Sequence, residues 1–327
     1  MRRLPIASIA AAFLVTATAC GGSGSGGSEG PGGAGEGASG STVRVKVGII
    51  PIVDVAPLYL GEKKGFYASR GLDLTMVTAQ GGAAIVPAVV GGQFQFGFSN
   101  MTTLMLAQVN RVPVKAVANG IASAGEQGAD FAGLAVPKGS PVKSAKELAG
   151  KKVAINTLKN IGDTSVRESV RKAGGDPAEV DFVELPFDQM PAALAGGRVD
   201  AALVVEPALA TVKSQGGTVI ASSYADVSPD LTVAMYFTST AYARRNPETV
   251  RKFQEATAES LEYANSHPDE VRQILTTYTR IPETLLRNMN LPRWPAQPDR
   301  ASIERLARLG EQDGTLSSAP DLDTLLP

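Results

Sequence analysis

One stretch of this chain is written twice. Pro87 to Asn100 reads PAVVGGQFQFGFSN, and Pro191 to Pro207 reads PAALAGGRVDAALVVEP. Each copy has Pro-Ala, small or aliphatic residues, a Gly-Gly pair, and an apolar run ending in a polar residue. The second copy has one extra Ala. Gly-Gly suits a helix stop, because glycine takes the left-handed cap conformation without a Cβ penalty. The apolar run after it reads as a buried strand. A chain that places this device twice is building two similar α/β halves.

The flanking pattern agrees. VRVKVGII, LDLTMV, FQFGFS and VKAVAN read as strands, separated by the helical stretches PLYLGEKKGFYASRG, AAIVPAVVGG and NMTTLMLAQVN. Pro57 suits a first helical turn, Gly71 the stop of that helix, and Asn100 an N-cap. The alternation restarts at DFAGLAV. A capping box at Ser144 and Glu147 and an amphipathic helix, DTSVRESVRKAGG, follow, then the strands VDFVEL, VDAALVV and TVIAS. Strand–helix alternation at this spacing predicts an α/β protein with two doubly wound, mostly parallel sheets. In such sheets ligands bind outside the carboxyl ends of the strands, where helix N-termini present free N–H groups. Two lobes facing each other make a cleft with donors on both walls.

The N-terminus reads as an address. MRR is followed by the short apolar run LPIASIAAAFLVTATA, too short for a comfortable membrane span. Ala17, Ala19, Cys20 and Gly21 resemble a bacterial lipobox, with Ala17 where Leu is usual. Residues 1–19 are then a lipoprotein signal peptide, and Cys20, the one cysteine, is lipidated and anchors the chain to the cell membrane. The other reading is an ordinary secretory signal. Residues 20–42 carry almost no apolar side chains and read as a Gly/Ser tether. The GxGxxG matches at Gly22–Gly27 and Gly35–Gly40 lie in it, neither after a strand nor before a helix, and carry no chemistry. A net charge of −1 gives no sign of a nucleic-acid partner.

Several segments carry a family resemblance: PLYLGEKKGFYASRGLDL, GGAAIVPAVVGGQFQFGFSN, SAKELAGKKVAIN, LPFDQMPAALAGGRVDAALVVEP and NPETVRKFQEATAESLEYANSHPDEVRQIL. From about Val43 to Pro327 the chain resembles the nitrate/sulfonate/taurine-type periplasmic solute-binding proteins, which include thiamine-precursor binders. The resemblance implies a two-lobed type II periplasmic-binding-protein fold. Its crossing strands fall at FAGLAV and LTVAMYFT, with residues 43–132 and 234–327 in lobe one and 133–233 in lobe two. Where the family pattern favours Asp in the first repeat this chain has Gln95; Asp200 keeps it in the second, and the position reads as structural.

The candidate ligand-binding residues lie in the strand-end loops. Lobe one offers Asp54, Val55, Gly81, Gly82, Ser99, Asn100 and Asn119; lobe two offers Asn156, Thr157, Asn160, Ile161, Gly162 and Glu206. Tyr236, on a crossing strand, floors the cleft. Each has a plainer reading: Asn100 as a helix cap, Asn160 and Gly162 as a turn before Asp163, Asp54 as a solvated acid, Glu206 as a partner within its lobe. Trp294 reads as a packing anchor.

Helix N-termini favour an oxyanion such as a sulfonate or nitrate. Against that, Lys159 is the only cation in the predicted wall loops, and Asp54 with Glu206 favours an amine-bearing heterocycle such as a thiamine-precursor pyrimidine. Both ligand classes stay open. Catalysis is not expected: the one histidine, His267, lies between two helices and reads as solvated, and the pyrimidine-synthase relatives use His and Cys chemistry this chain lacks. A carboxylate pair, Asp54 and Glu206, is the remaining catalytic arrangement. The resemblance implies a monomeric, cofactor-free binding subunit of an ABC importer, with a permease and an ATPase as partners. A ligand-free sensor or scaffold is the rival.

Overall fold

The computed structural model describes residues 42–327; the expected leader, Cys20 and the expected tether up to Ser41 lie outside the described residues. Along the first half run β1 (Val43–Ile49), α1 (Ala56–Lys64), β2 (Leu72–Thr78), α2 (Gly82–Val90), β3 (Phe96–Asn100), α3 (Met101–Val109) and β4 (Val114–Ala122). The second half holds β5 (Ala132–Val136), β6 (Lys152–Ile155), α4 (Ile161–Lys172), β7 (Asp181–Glu184), α5 (Met190–Ala195), β8 (Ala201–Val205), α6 (Ala208–Ser214), β9 (Thr218–Ala221) and α7 (Ser223–Val227). The chain then returns through β10 (Thr232–Ser239) and α8 (Thr240–Arg245), followed by α9 (Pro247–Ser266), α10 (Pro268–Ile274), α11 (Glu283–Leu286), α12 (Arg300–Gln312) and α13 (Leu322–Leu325).

Two five-stranded sheets result, in the orders β2-β1-β3-β10-β4 and β7-β6-β8-β5-β9. The orders are equivalent. In each sheet the strand that arrives from the other half is inserted antiparallel beside its neighbours: β10 against β3 and β4, β5 against β8 and β9. Central strands β3, β5, β8 and β10 are buried throughout, as a sheet covered by helices on both faces requires, while β2, β7 and β9 are edges and half-exposed.

The expected crossing strands need a correction. FAGLAV and LTVAMYFT do not span the halves; each pairs wholly within the sheet it enters, and the strands begin at Ala132 and Thr232. The crossings are the segments before them. They are tied together by the Ser123 N–H donating to the Leu231 carbonyl at 2.9 Å. A second correction concerns α1, which stops at Gly65 (φ 80°), with a short 3₁₀ turn before Gly71. Gly65 already supplies the left-handed cap, and Phe66 and Tyr67 turn back onto α9 through Tyr263 and Phe253.

The repeated stretch folds twice into the same device. In both copies the second glycine takes the left-handed conformation, Gly92 at φ 76° and Gly197 at φ 65°. The Gln95 side chain accepts the Lys46 N–H at 2.8 Å, and Asp200 accepts the Lys152 N–H at 2.9 Å. Gln95 and Asp200 thus do one job, bracing the strand beside the repeat, and an amide oxygen serves as well as a carboxylate.

Helix α9 covers the first sheet with Val250, Phe253, Ala256, Leu261 and Ala264, and Phe253 stacks on Phe96 with centroids 3.9 Å apart. It crosses α1 at Gly61, where a Cβ would overlap the Ser260 hydroxyl. The segment after α11 runs across the junction of the two halves. Arg293 donates to the Ser123 carbonyl of one crossing and to the Pro229 carbonyl and Asp230 carboxylate of the other.

Candidate functional site

The carboxyl ends of both sheets meet where the repeats end. A Cβ on Gly81, at the head of α2, would come within 2.6 Å of the Thr157 hydroxyl across the junction, so the two walls touch there. A Cβ on Gly82 would overlap the Ser99 hydroxyl of its own wall, so glycine is needed there. Beside this contact a cavity of about 590 Å³ opens between the halves. Ile50–Ile52 and Thr78–Gln80 line it from the first half, Phe187, Pro191, Pro207 and Thr211 from the second, and Tyr278–Pro282 from the C-terminal segment. Its lining does not include the expected residues themselves. It includes their chain neighbours: Ile52 precedes Asp54 by two, Gln80 precedes Gly81, and Pro207 follows Glu206.

On the first wall, five side-chain atoms are buried without a partner inside the protein: Asp54 Oδ1, Ser99 Oγ, Thr102 Oγ1, Asn119 Oδ1 and the Tyr236 hydroxyl. Ser99 and Asn119 flank Met235 from the two neighbouring strands, so they lie in one row at the sheet's edge. Asn119 Nδ2 is engaged by the Pro295 carbonyl at 2.6 Å. One residue earlier, Trp294 Nε1 donates to the Asp54 carbonyl at 3.2 Å, which brings Asp54 to the same place. Asp54 sits in a 3₁₀ turn (Val53–Val55) opening α1 and is 4% exposed. Desolvation lifts its carboxyl from 3.8 to about 7; its own backbone N–H pulls down and the Asp130 carboxylate pushes further up. Val55 is buried in the apolar core. Asn100 caps α3, its Oδ1 accepting the Thr103 N–H at 2.9 Å.

The second wall is hydrogen-bonded to itself. Asn160 Oδ1 accepts the Gly162 N–H at 2.8 Å, and its Nδ2 donates to Asn156 Oδ1 at 2.9 Å, so it caps α4 over Ile161 and Gly162. Asn156 and Thr157 are half-buried. Glu206 is fully buried; its Oε2 accepts the Ala210 N–H at 2.8 Å and its Oε1 the Asn290 N–H at 3.2 Å. Desolvation raises it from 4.5 to about 7 against those two bonds and the field of Lys213. With both oxygens committed to backbone donors, Glu206 is a brace between α6 and the C-terminal segment. Pro207 follows it through a cis peptide.

Tyr236 does not floor the junction in the expected way. Its ring lies in the core against Phe98 and Phe253, with only its hydroxyl left unpartnered. His267 is not simply solvated: it stacks on Tyr263 at 3.8 Å and its Nδ1 meets the Tyr263 carbonyl. Trp294 is the packing anchor expected, 2% exposed. Sequence reasoning missed Thr102, Asp130, Asn290, Arg293 and Tyr278. Thr102 follows the cap by two residues and was readable from its position; the others reach the site across the chain, without a local signal.

Two sheets of matching strand order, two chain crossings and a polar junction at the strand ends define the periplasmic-binding-protein fold. The profile of the NMT1/THI5-like family matches residues 52–271, and the chain belongs to that family. It is 26% identical to the riboflavin-binding protein RibY of Chloroflexus aurantiacus over 77% of this chain and 70% of that protein. It is 22% identical to the formylaminopyrimidine-binding protein of Halalkalibacterium halodurans over 72% of this chain and 70% of that protein. The solved alkanesulfonate-binding protein SsuA of Xanthomonas axonopodis pv. citri, bound to MOPS, superimposes with a TM-score of 0.74 at 17% identity, covering 88% of this chain and 99% of that one.

Proposed function

We propose that this chain is the extracytoplasmic solute-binding subunit of an ABC importer, capturing one small solute between its halves and presenting the closed form to a permease and its ATPase. The row of buried, unpartnered polar atoms on the first wall carries this reading. Such atoms are costly unless something bonds them, and a solute closed between the walls would do so. The cavity beside them is of small-molecule size. Cys20 tethers the chain to the membrane surface.

Of the two ligand classes, the wall favours the amine-bearing heterocycle over a sulfonate or nitrate. Asp54 and Asn119 offer acceptors, and Arg280 is the one cation lining the cavity. The name of the formylaminopyrimidine-binding relative points the same way, and that of the sulfonate-binding structural neighbour to the other class. The chain reads as a binder and not a catalyst: with both Glu206 oxygens engaged, Asp54 and Glu206 do not form a working carboxylate pair.

The test is a thermal-shift screen of the full chain in detergent against sulfonates, nitrate, pyrimidine precursors, flavins and amines. A solute at 100 times its dissociation constant adds about 2.7 kcal/mol of stability, a clear rise in melting temperature. Silence across the panel favours the scaffold reading.

A further inference from the structure

We propose that the group this cleft recognises is a protonated nitrogen, held by the Asp54 carboxylate among aromatic side chains, so that Asp54 selects cationic solutes over neutral or anionic ones of the same shape. This rests on the solute-capture reading above and sharpens it.

Asp54 is a buried acid left without a counter-charge. Its Oδ1 has no partner, and its charged neighbour is another acid, Asp130. Arg293, whose charge eases Asp130, spends its guanidinium on Ser123, Pro229 and Asp230. The remaining groups that feel Asp54 are the tyrosines Tyr224, Tyr236 and Tyr278, and burial keeps all three neutral. Tyr278 lines the cavity, donates to the Ile52 carbonyl at 3.0 Å, and stacks on Tyr59 with centroids 4.0 Å apart. Trp294 holds the Asp54 backbone. An aromatic surround holding carboxylates and no counter-charge is the chemistry that recognises organic cations, through ring faces and charge together. A sulfonate beside Asp54 would meet the repulsion of Asp54 and Asp130, with Arg280 the one cation on the cavity lining.

The rival account is that Asp54 is a protonated, purely structural group. The two differ in pH behaviour. Asp54 must be ionised to pair with a cation, and in the free protein it ionises at about 7. A permanently cationic probe therefore binds more tightly as pH rises through that value and levels off above it.

Benzamidine, benzamide and benzoate share one shape and carry positive, zero and negative charge. The experiment measures their binding to the full chain by thermal shift and calorimetry, at pH 6 and pH 8. The expected result is that benzamidine binds best, about tenfold more tightly at pH 8 than at pH 6, one pKa unit below the midpoint. Asp54→Asn should remove that preference and that pH dependence without lowering the ligand-free melting temperature. The wild-type pH series decides the matter even if the variant folds poorly. Benzamidine failing to bind, binding no better than benzamide or benzoate, or binding independently of pH overturns the proposal. Benzoate or benzamide binding alone does so while leaving solute capture standing; silence in the broad panel counts against capture itself.

Discussion

Two buried carboxylates, Asp54 on one wall of the junction and Glu206 on the other, are alike until their partners are compared. Asp54 and Glu206 are both lifted to about 7, mainly by desolvation. Glu206 has a backbone donor on each oxygen, whereas Asp54 keeps Oδ1 free. Burial alone does not reveal a role; the inventory of partners does. The second wall is a finished structure, with Asn160 and Glu206 satisfied internally. The first wall holds groups in reserve, at a cost in stability that a bound solute offsets.

The broadest expected effect is on pH. Both acids hold their protons more tightly folded than unfolded, so their stabilisation is complete below their ordinary values of 3.8 and 4.5 and is lost as pH rises to about 7. At about 1.4 kcal/mol per pKa unit, the ligand-free protein should melt several degrees lower at pH 8 than at pH 5. Asp54→Asn and Glu206→Gln should each flatten part of that slope in a melting series.

Glu206→Ala comes next. It strands the Ala210 and Asn290 N–H groups and should lower unfolding free energy by about 3 kcal/mol in urea titration. If Asp54→Ala costs as much with no solute present, the contrast between the walls fails. Asn100→Ala removes the cap of α3 and should cost about 1 kcal/mol by the same measurement. The smallest stability effect belongs to Ser99→Ala, under about 0.5 kcal/mol, because the lost hydroxyl has no partner to leave behind. Its affinity for the solute, measured by calorimetry, should fall by more than its stability does.

The strand–helix alternation and the repeat were legible because period, Gly-Gly stops and caps are local signals; the strand order, with β5 and β10 inserted antiparallel, was not. Asn100 and Pro57 behave as their sequence neighbourhoods predict; Ser144 caps a 3₁₀ turn through the Lys146 N–H, but Glu147 accepts the Lys143 N–H, so the expected capping box does not close. The end of α1 was misplaced because Gly65 and Gly71 are equally good stops on paper, and packing of Phe66 and Tyr67 on α9 decides between them. The candidate residues lie at the strand ends as expected, although the cavity is lined by their chain neighbours, and the distinction between the two walls was not legible. Glu206 owes its bonds partly to Asn290, and Asn119 owes its bonds to Pro295, residues far away in the chain. No window of sequence contains both ends of such contacts.

The Arg293 clasp has a consequence for signalling. Both crossings are tied to each other and to one guanidinium, so a shift at one crossing is passed directly to the other. On the solute-capture reading, a permease that docks on the outer surface then receives a one-bit message, occupied or empty. The identity of the cargo is judged inside and does not appear on the outside, so evolution can rewrite the first wall for a new solute while the docking surface stays as it is.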